Sequence, residues 1–278
     1  MKIIYKNDFG TVAMFGEDNN GFSICDIDGL TLLGKERNLI HFHNKDGYDE
    51  SGAFWGQRII TISGDIKSDN KDLLKKAIRV FSMPGTLTVD TDFCLYTIKV
   101  NDTTFKTQQK NSMYKTYCVQ FSCDFPHFSD SSDILSGVYS RKKLITSETF
   151  LPAVFSSRTS GGIIKNTGDI PIEPKITIKS LADAPEDGVI TIENKTTDKK
   201  IIINYKISFN EIITIDIPKR LITSSVKGDI TSYLDHESYL CDINLICGEN
   251  FIDVTPSAGN RNCEVYIVYR NLYTGVIV

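Results

Sequence analysis

Apolar side chains recur at every second position over much of this chain. Within residues 57–66, Ile60, Ile62 and Ile66 share one face while Thr61, Ser63 and Asp65 take the other, the pattern of a half-buried strand. Tyr117, Val119, Phe121 and Cys123 repeat it, as do Ile176 with Ile178, Ile190 with Ile192, and Val265, Ile267 and Tyr269. Residues 11–15 and 22–27 flank Asn19-Asn20-Gly21, whose residue types tolerate the positive φ of a tight turn, so these two strands are expected to form a hairpin. The pattern predicts a mainly β protein.

Residues 69–81 depart from this alternation. Leu73, Leu74, Ala77, Ile78 and Phe81 recur at helical spacing among Lys71, Lys75, Lys76 and Arg79, which predicts one amphipathic helix with those five residues as its core face. Asp69 is the expected N-cap, Asp72 complements the helix N-terminus, and Pro84-Gly85 ends the element.

A polar run, Ser129-Asp130-Ser131-Ser132-Asp133, follows Phe125-Pro126-His127-Phe128 and reads as an exposed connection. It divides the chain into residues 1–133 and 134–278. In the second part, turn signals at Gly161-Gly162, Asn166-Thr167-Gly168, Thr197-Asp198 and Pro256-Ser257-Ala258-Gly259-Asn260 separate short strands, a spacing that suits a β-sandwich.

Composition narrows the classes. The chain has 278 residues, a formal charge of −4, 41% hydrophobic and 24% charged residues. This is an ordinary globular balance, and it excludes a generally basic nucleic-acid binder. No stretch approaches the roughly 20 apolar residues of a membrane-spanning helix. The opening Met1-Lys2-Ile3-Ile4-Tyr5-Lys6 lacks the apolar core of a secretion signal, so synthesis and folding in a cytoplasm are expected. Seven cysteines include no C-x-x-C pair, and all seven are read as small buried hydrophobes.

Little in the sequence points to catalysis. His41-x-His43 puts two imidazoles on one face of an extended segment, but a closed metal site needs three or four ligands and no third lies nearby. A Walker A loop and a Gly-x-Ser-x-Gly elbow are both missing. Asp46, Asp49 and Glu50 could supply paired carboxylates, yet they read first as a charged surface turn. The sequons at Asn101 and Asn194 are taken as coincidence. The single tryptophan, Trp55, sits beside Phe54 in a glycine-flanked apolar patch, either as a core anchor or as an interface residue.

The ordered set of features resembles the distal tail proteins (Dit) of siphophage tail tips and baseplates. In the N-terminal half it comprises Ile3-Ile4-Tyr5-Lys6-Asn7 leading to Phe9-Gly10, Ile27-Asp28-Gly29-Leu30, Asp46-Gly47, Gln57-Arg58-Ile59-Ile60-Thr61-Ile62-Ser63-Gly64, the lone helix, and Gln120-Phe121-Ser122-Cys123-Asp124-Phe125-Pro126-His127-Phe128. In the C-terminal half it comprises Ile213-Thr214-Ile215-Asp216, Leu245-x-x-Gly248-x-Asn250-x-Ile252 and the closing Val265 to Tyr269 strand followed by Gly275.

The resemblance implies an N-terminal split β-barrel, or belt domain, with one α-helix, and a C-terminal galectin-like β-sandwich. It implies a structural virion component with no enzymatic activity and no cofactor. Copies would form a homohexameric ring at the tail tip; the residues' own reading, apart from the resemblance, offers Phe54 and Trp55 as a candidate intersubunit patch. Expected partners are the tail-tube protein, the tail-associated hub or lysin protein and a receptor-binding protein. DNA would only pass through the lumen, and no membrane insertion is expected. The second reading is a carbohydrate-binding β-sandwich that mediates adhesion to the host surface, with Tyr233, Tyr239, Tyr266, Tyr269 and Tyr273 available for stacking. A glycan hydrolase is the third.

Overall fold

The computed structural model describes residues 1–15, 21–44, 46–67, 70–139, 161–181, 183, 188–255 and 263–276. The expected caps and turns at Asp69, Asn19-Asn20 and residues 256–260 lie outside them. The chain divides into two compact units, Met1–Ser131 with Leu272–Val278, and Ser132–Asn271.

Unit 1 runs through β1 (Lys2–Asn7), β2 (Gly10–Phe15), β3 (Phe22–Asp28), β4 (Lys35–Ile40), β5 (Asp49–Trp55), β6 (Arg58–Lys67), α1 (Lys71–Phe81), β7 (Gly85–Asp90), β8 (Leu95–Val100), β9 (Asp102–Gln109), β10 (Tyr114–Cys123) and β11 (Phe128–Asp130). Unit 2 runs through β12 (Ile134–Tyr139), β13 (Gly162–Asn166), β14 (Lys175–Ser180), β15 (Ile190–Asn194), β16 (Lys199–Ile203), β17 (Ile212–Asp216), β18 (Leu221–Ser224), β19 (Gly228–Asp229), β20 (Gly248–Thr255) and β21 (Cys263–Tyr269). The short β22 (Leu272–Tyr273) then returns to unit 1.

In unit 1, a six-stranded sheet ordered β2-β1-β7-β8-β11-β22 and a four-stranded sheet ordered β3-β6-β10-β9 share one core with α1. Tyr5 of the first sheet stacks on Phe121 of the second at 5.1 Å between centroids, and Phe81 of the helix closes on both rings at 5.5 and 5.8 Å. In unit 2, sheets ordered β12-β21-β14-β17-β18-β19 and β13-β20-β15-β16 enclose a core rich in isoleucine, including Ile176, Ile178, Ile213, Ile215 and Ile267 from one sheet and Ile190, Ile192, Ile201, Ile203 and Ile252 from the other. β-Branched residues suit these pleated, tightly packed faces. The mainly β expectation holds, and α1 is the α-helix among the described residues.

Several local expectations are corrected. The strands before and after Asn19-Asn20-Gly21 do not pair: β2 pairs with β1 across a turn ending at Gly10, whereas β3 is an edge strand on β6. The helix is capped by Asn70, whose side chain accepts from Leu73 N at 3.3 Å. Ile78 is not core: it is 58% exposed, and Val80 is fully buried instead. At 100° per residue, Leu73, Leu74, Ala77, Val80 and Phe81 span an arc of about 120°, and Ile78 falls about 40° beyond its edge.

The polar run 129–133 is not a free connection at its start. Ser129 and Asp130 belong to β11, pairing with Thr97 and Tyr96, and Thr97 Oγ1 donates to Ser129 O at 3.2 Å. Hydroxyl-bearing residues fit a strand when the backbone takes up their donors. The unit boundary at Ser131 lies two residues before the expected one, but the last seven residues belong with unit 1 rather than with residues 134–278.

Cys123 and Cys263 are buried as expected, whereas Cys25, Cys241 and Cys247 are exposed. Asn194 is buried with its Nδ2 donating to Asn244 O at 2.8 Å, a structural role for one sequon asparagine.

One ionisable side chain is sealed inside unit 2. Glu211 is 1% exposed, accepting from Tyr205 OH at 2.6 Å, from Ser208 N at 2.7 Å and from Ser224 Oγ. Burial pushes this carboxyl up, but the hydrogen bonds from Ser224, Tyr205 and Ser208 outweigh it and hold the group below its ordinary value.

The packing of the helix and of this carboxylate can each be tested by substitution. Val80→Asp should cost about 4 kcal/mol or more in urea unfolding, and Ile78→Asp less than about 1 kcal/mol, because only the first buries an unpaired charge. For Glu211, a depressed folded pKa means stability that is present above the unfolded value of 4.5 and lost as pH falls through the folded one. Glu211→Gln should lower the urea midpoint at neutral pH by the equivalent of about 1–3 kcal/mol and flatten the decline below pH 4.5.

Candidate assembly surface

β4 and β5 form a two-stranded sheet of their own, with Lys35 opposite Trp55 and Ile40 opposite Asp49. The inward and outward alternation of the other strands is lost here. Every residue of β4 is exposed, as is every residue of β5 except the half-buried Trp55. Leu39, Ile40, Phe42, Tyr48 and Phe54 all present apolar surface, Phe54 at 49% exposure. An isolated two-stranded hairpin is marginal in water, so this arm depends on what holds its base and what covers its flanks.

The base is aromatic. Lys35 Nζ lies 5.0 Å from the centroid of the Trp55 ring, and that ring meets His127 edge-on at 5.6 Å. His127 meets Phe125 in the same way at 5.3 Å. Burial, and then the charge of Arg58, hold the His127 imidazole below its usual pKa, which keeps the ring neutral and suited to packing between two aromatics. Phe54 and Trp55 therefore do different work: neighbours on a strand point to opposite faces, so Trp55 anchors the root and Phe54 stays outside.

Arg58, the first residue of β6, is 1% exposed. Its Nε donates to Pro126 O at 2.5 Å, Nη1 to Gly29 O and Thr31 O at 2.6 and 2.8 Å, and Nη2 to Thr274 O at 2.5 Å. The guanidinium carbon stands 4.9 Å from the Phe128 ring centroid. Burial lowers the Arg58 pKa from its ordinary value, but a guanidinium has so much margin that it stays charged. Four carbonyl dipoles thus converge on one cation. They come from the loop after β3, the segment before β11 and the closing segment after β22, and Val276 N adds a bond to Leu30 O at 2.8 Å. Gly29 makes this approach feasible: its φ is +85°, and a Cβ there would collide with the Ile59 carbonyl.

Sequence reasoning misses Arg58 as a functional residue, although a signal is present. It shares even parity with Ile60, Ile62 and Ile66, so it lies on the inward face of β6.

The other sequence candidates do not converge. His41 and His43 lie at the tip of the arm, where the His41 ring meets Tyr48 at 5.5 Å. Among the described residues, no three His, Cys, Asp or Glu side chains group as metal ligands. Asp46, Asp49 and Glu50 are exposed in the same hairpin, with Glu50 3.9 Å from Arg37. Of the tyrosines, Tyr269 is buried and donates to Lys165 O, and Tyr273 packs on Tyr96 within unit 1. Tyr233 and Tyr239 are exposed.

Comparison with known proteins bears on both units. Residues 167–273 match the family model described as siphovirus-type tail component, C-terminal domain. The SPbeta prophage-derived uncharacterized protein YomH of Bacillus subtilis (strain 168) is 32% identical over 110 residues, which is 40% of this chain and 39% of that protein. The matched stretch therefore spans about two fifths of the curated relative. The crystal structure of SPP1 Dit, described as a paradigm of hub adsorption apparatus in phages infecting Gram-positive hosts, aligns with a TM-score of 0.68 at 13% identity, covering 97% of this chain and 98% of that one. At that identity the likeness shows a shared fold.

Replacing Arg58 by Met should cost about 3–5 kcal/mol in chemical unfolding, since four buried carbonyls lose their donor together. Arg58→Lys should recover little of this, because an ammonium cannot spread its donors over acceptors in several directions. Hydrogen exchange should speed up at Val276, whose amide bond belongs to the same closure.

Proposed function

We propose that this chain, whose residues 167–273 match the siphovirus-type tail component C-terminal domain, is a Dit-family hub of a phage tail tip, acting by forming a ring. The β4–β5 arm carries the reading. It is a sheet of two strands whose apolar side chains Leu39, Ile40, Phe42, Tyr48 and Phe54 stay exposed within the single chain, while its root is pinned through Trp55. An anchored arm with uncovered apolar side chains supplies half of a head-to-tail contact, and such contacts close into a ring when the rotation per copy is right. Six copies is the number that the family resemblance implies.

In this proposal one face of the ring meets the tail-tube protein and the other the tail-associated hub protein. Unit 2 holds or adjoins the receptor-binding protein, and DNA crosses the lumen without being gripped. The chain then works by shape and multiplicity in the virion tail, with no reaction to catalyse.

The purified chain should sediment as a six-copy species. Exchanging Tyr48 and Phe54 together for Ser should convert it to monomer with little change in melting temperature, because both side chains are already exposed in the monomer. Retention of the six-copy species by that variant, or a monomer at every concentration for the parent chain, would overturn the arm as the ring contact.

A further inference from the structure

Unit 2 holds an open cavity of about 410 Å³ whose chemistry a purely architectural role leaves unused. Its walls include Asn204, Tyr205, Lys206, Lys227 and Tyr233. The Tyr205 and Tyr233 rings stand 5.3 Å apart at 80°, forming an apolar corner with one buried ring and one ring that is 39% exposed. Lys227 Nζ lies 5.2 Å from the first centroid and 5.4 Å from the second, so a positive charge is held over the corner. Lys206 is a second basic residue of the same lining. Neither lysine forms an ion pair among the described residues.

This corner is built from below by the sealed Glu211. Tyr205 OH donates to Glu211 Oε1, which fixes the buried ring. Ser224 Oγ bonds the same carboxylate and accepts from Val226 N and Lys227 N at 3.0 and 3.1 Å, which fixes the turn that carries Lys227. On the other side, Asn204 N donates to Tyr233 O at 2.8 Å and Asn204 Nδ2 to Asp235 Oδ1 at 3.2 Å. One carboxylate thus orients both the aromatic platform and the cation, although it does not itself face the cavity.

We propose that this cavity binds an acidic sugar residue, with the sugar ring against the Tyr205 and Tyr233 corner and its carboxylate or phosphate on Lys227 and Lys206. The volume lies within the range of small-ligand sites, and an open mouth leaves room for a residue within a longer polymer. Aromatic faces receive the C–H surface of a sugar, and ammonium groups recognise its anion as point charges. A nucleobase fits less well. The two rings are nearly perpendicular and do not form a parallel slot, and the chain carries net charge −4 rather than a basic groove. The use of this site on a host-surface polymer rests on the tail reading above; the binding itself does not.

The test is saturation-transfer NMR and calorimetry on the full chain with D-glucuronate, D-glucose 6-phosphate, D-glucose, inorganic phosphate and AMP as separate probes. Glucuronate or glucose 6-phosphate should bind about tenfold more tightly than glucose, a preference worth one charge-assisted contact, and which of the two binds identifies the anion. Tyr233→Ala and Lys227→Gln should each weaken that binding about tenfold while leaving the melting temperature unchanged, since both side chains are exposed. Binding of neither acidic sugar, equal binding of glucose, AMP binding as tightly as the sugars, or competition by inorganic phosphate that Tyr233→Ala does not alter would each overturn the proposal. Sedimentation of the same two variants reads ring formation separately, and both should keep the parent assembly state.

Discussion

A cation withdrawn from water must find compensation within the fold, and Arg58 finds it chiefly in four backbone carbonyl dipoles. The oxygens of Gly29, Thr31, Pro126 and Thr274 come from three distant parts of the sequence, and each is held where a donor of fixed geometry can reach it. Losing any one contributor leaves a buried charge short of partners, which is costly enough to make the arrangement close to all-or-none. The position of the closing segment, the loop after β3 and the approach to β11 are therefore set together. The Phe128 ring beneath the guanidinium and the neutral His127 beside it extend that closure to Trp55, on which the arm depends.

The two units solve their polar problems in opposite ways. Unit 1 buries a positive charge among carbonyls, whereas unit 2 buries a negative one among hydroxyls and an amide. Each group lies under a surface with a proposed role, the arm in one case and the aromatic corner in the other. A buried charge with fully arranged partners fixes the geometry of its neighbours more tightly than apolar packing does, because apolar contacts have no preferred direction.

Much of the fold is legible in the sequence, for identifiable reasons. Strands such as β6, β10 and β21 each have one face buried, so their alternation is clean and their existence follows directly. The helix is legible for the same reason at a different period, and the error at Ile78 comes from taking spacings of three and four without summing the angles. The arm is not legible as a strand pair, because β4 and β5 bury neither face and so have no alternation to read. The role of Arg58 depends on acceptors up to 216 positions away, and only its parity hints that it points inward. The return of the chain at β22 rests on a two-residue strand, too short for any periodicity. At the sugar-site candidate, Tyr233 stands out as an aromatic available for stacking, but Tyr205 and Lys227 come from separate turns that only the folded topology brings together.

β11 and β22, through which the chain leaves unit 1 and comes back, are paired neighbours, with Phe128 opposite Tyr273 and Ser129 opposite Leu272. The 140 residues of unit 2 are in effect spliced into what would otherwise be a tight connection between adjacent antiparallel strands. An insertion whose two ends emerge a strand spacing apart imposes almost no strain on its host. Recombination at those two junctions would therefore exchange the whole of unit 2 in one event while unit 1 keeps its strand register.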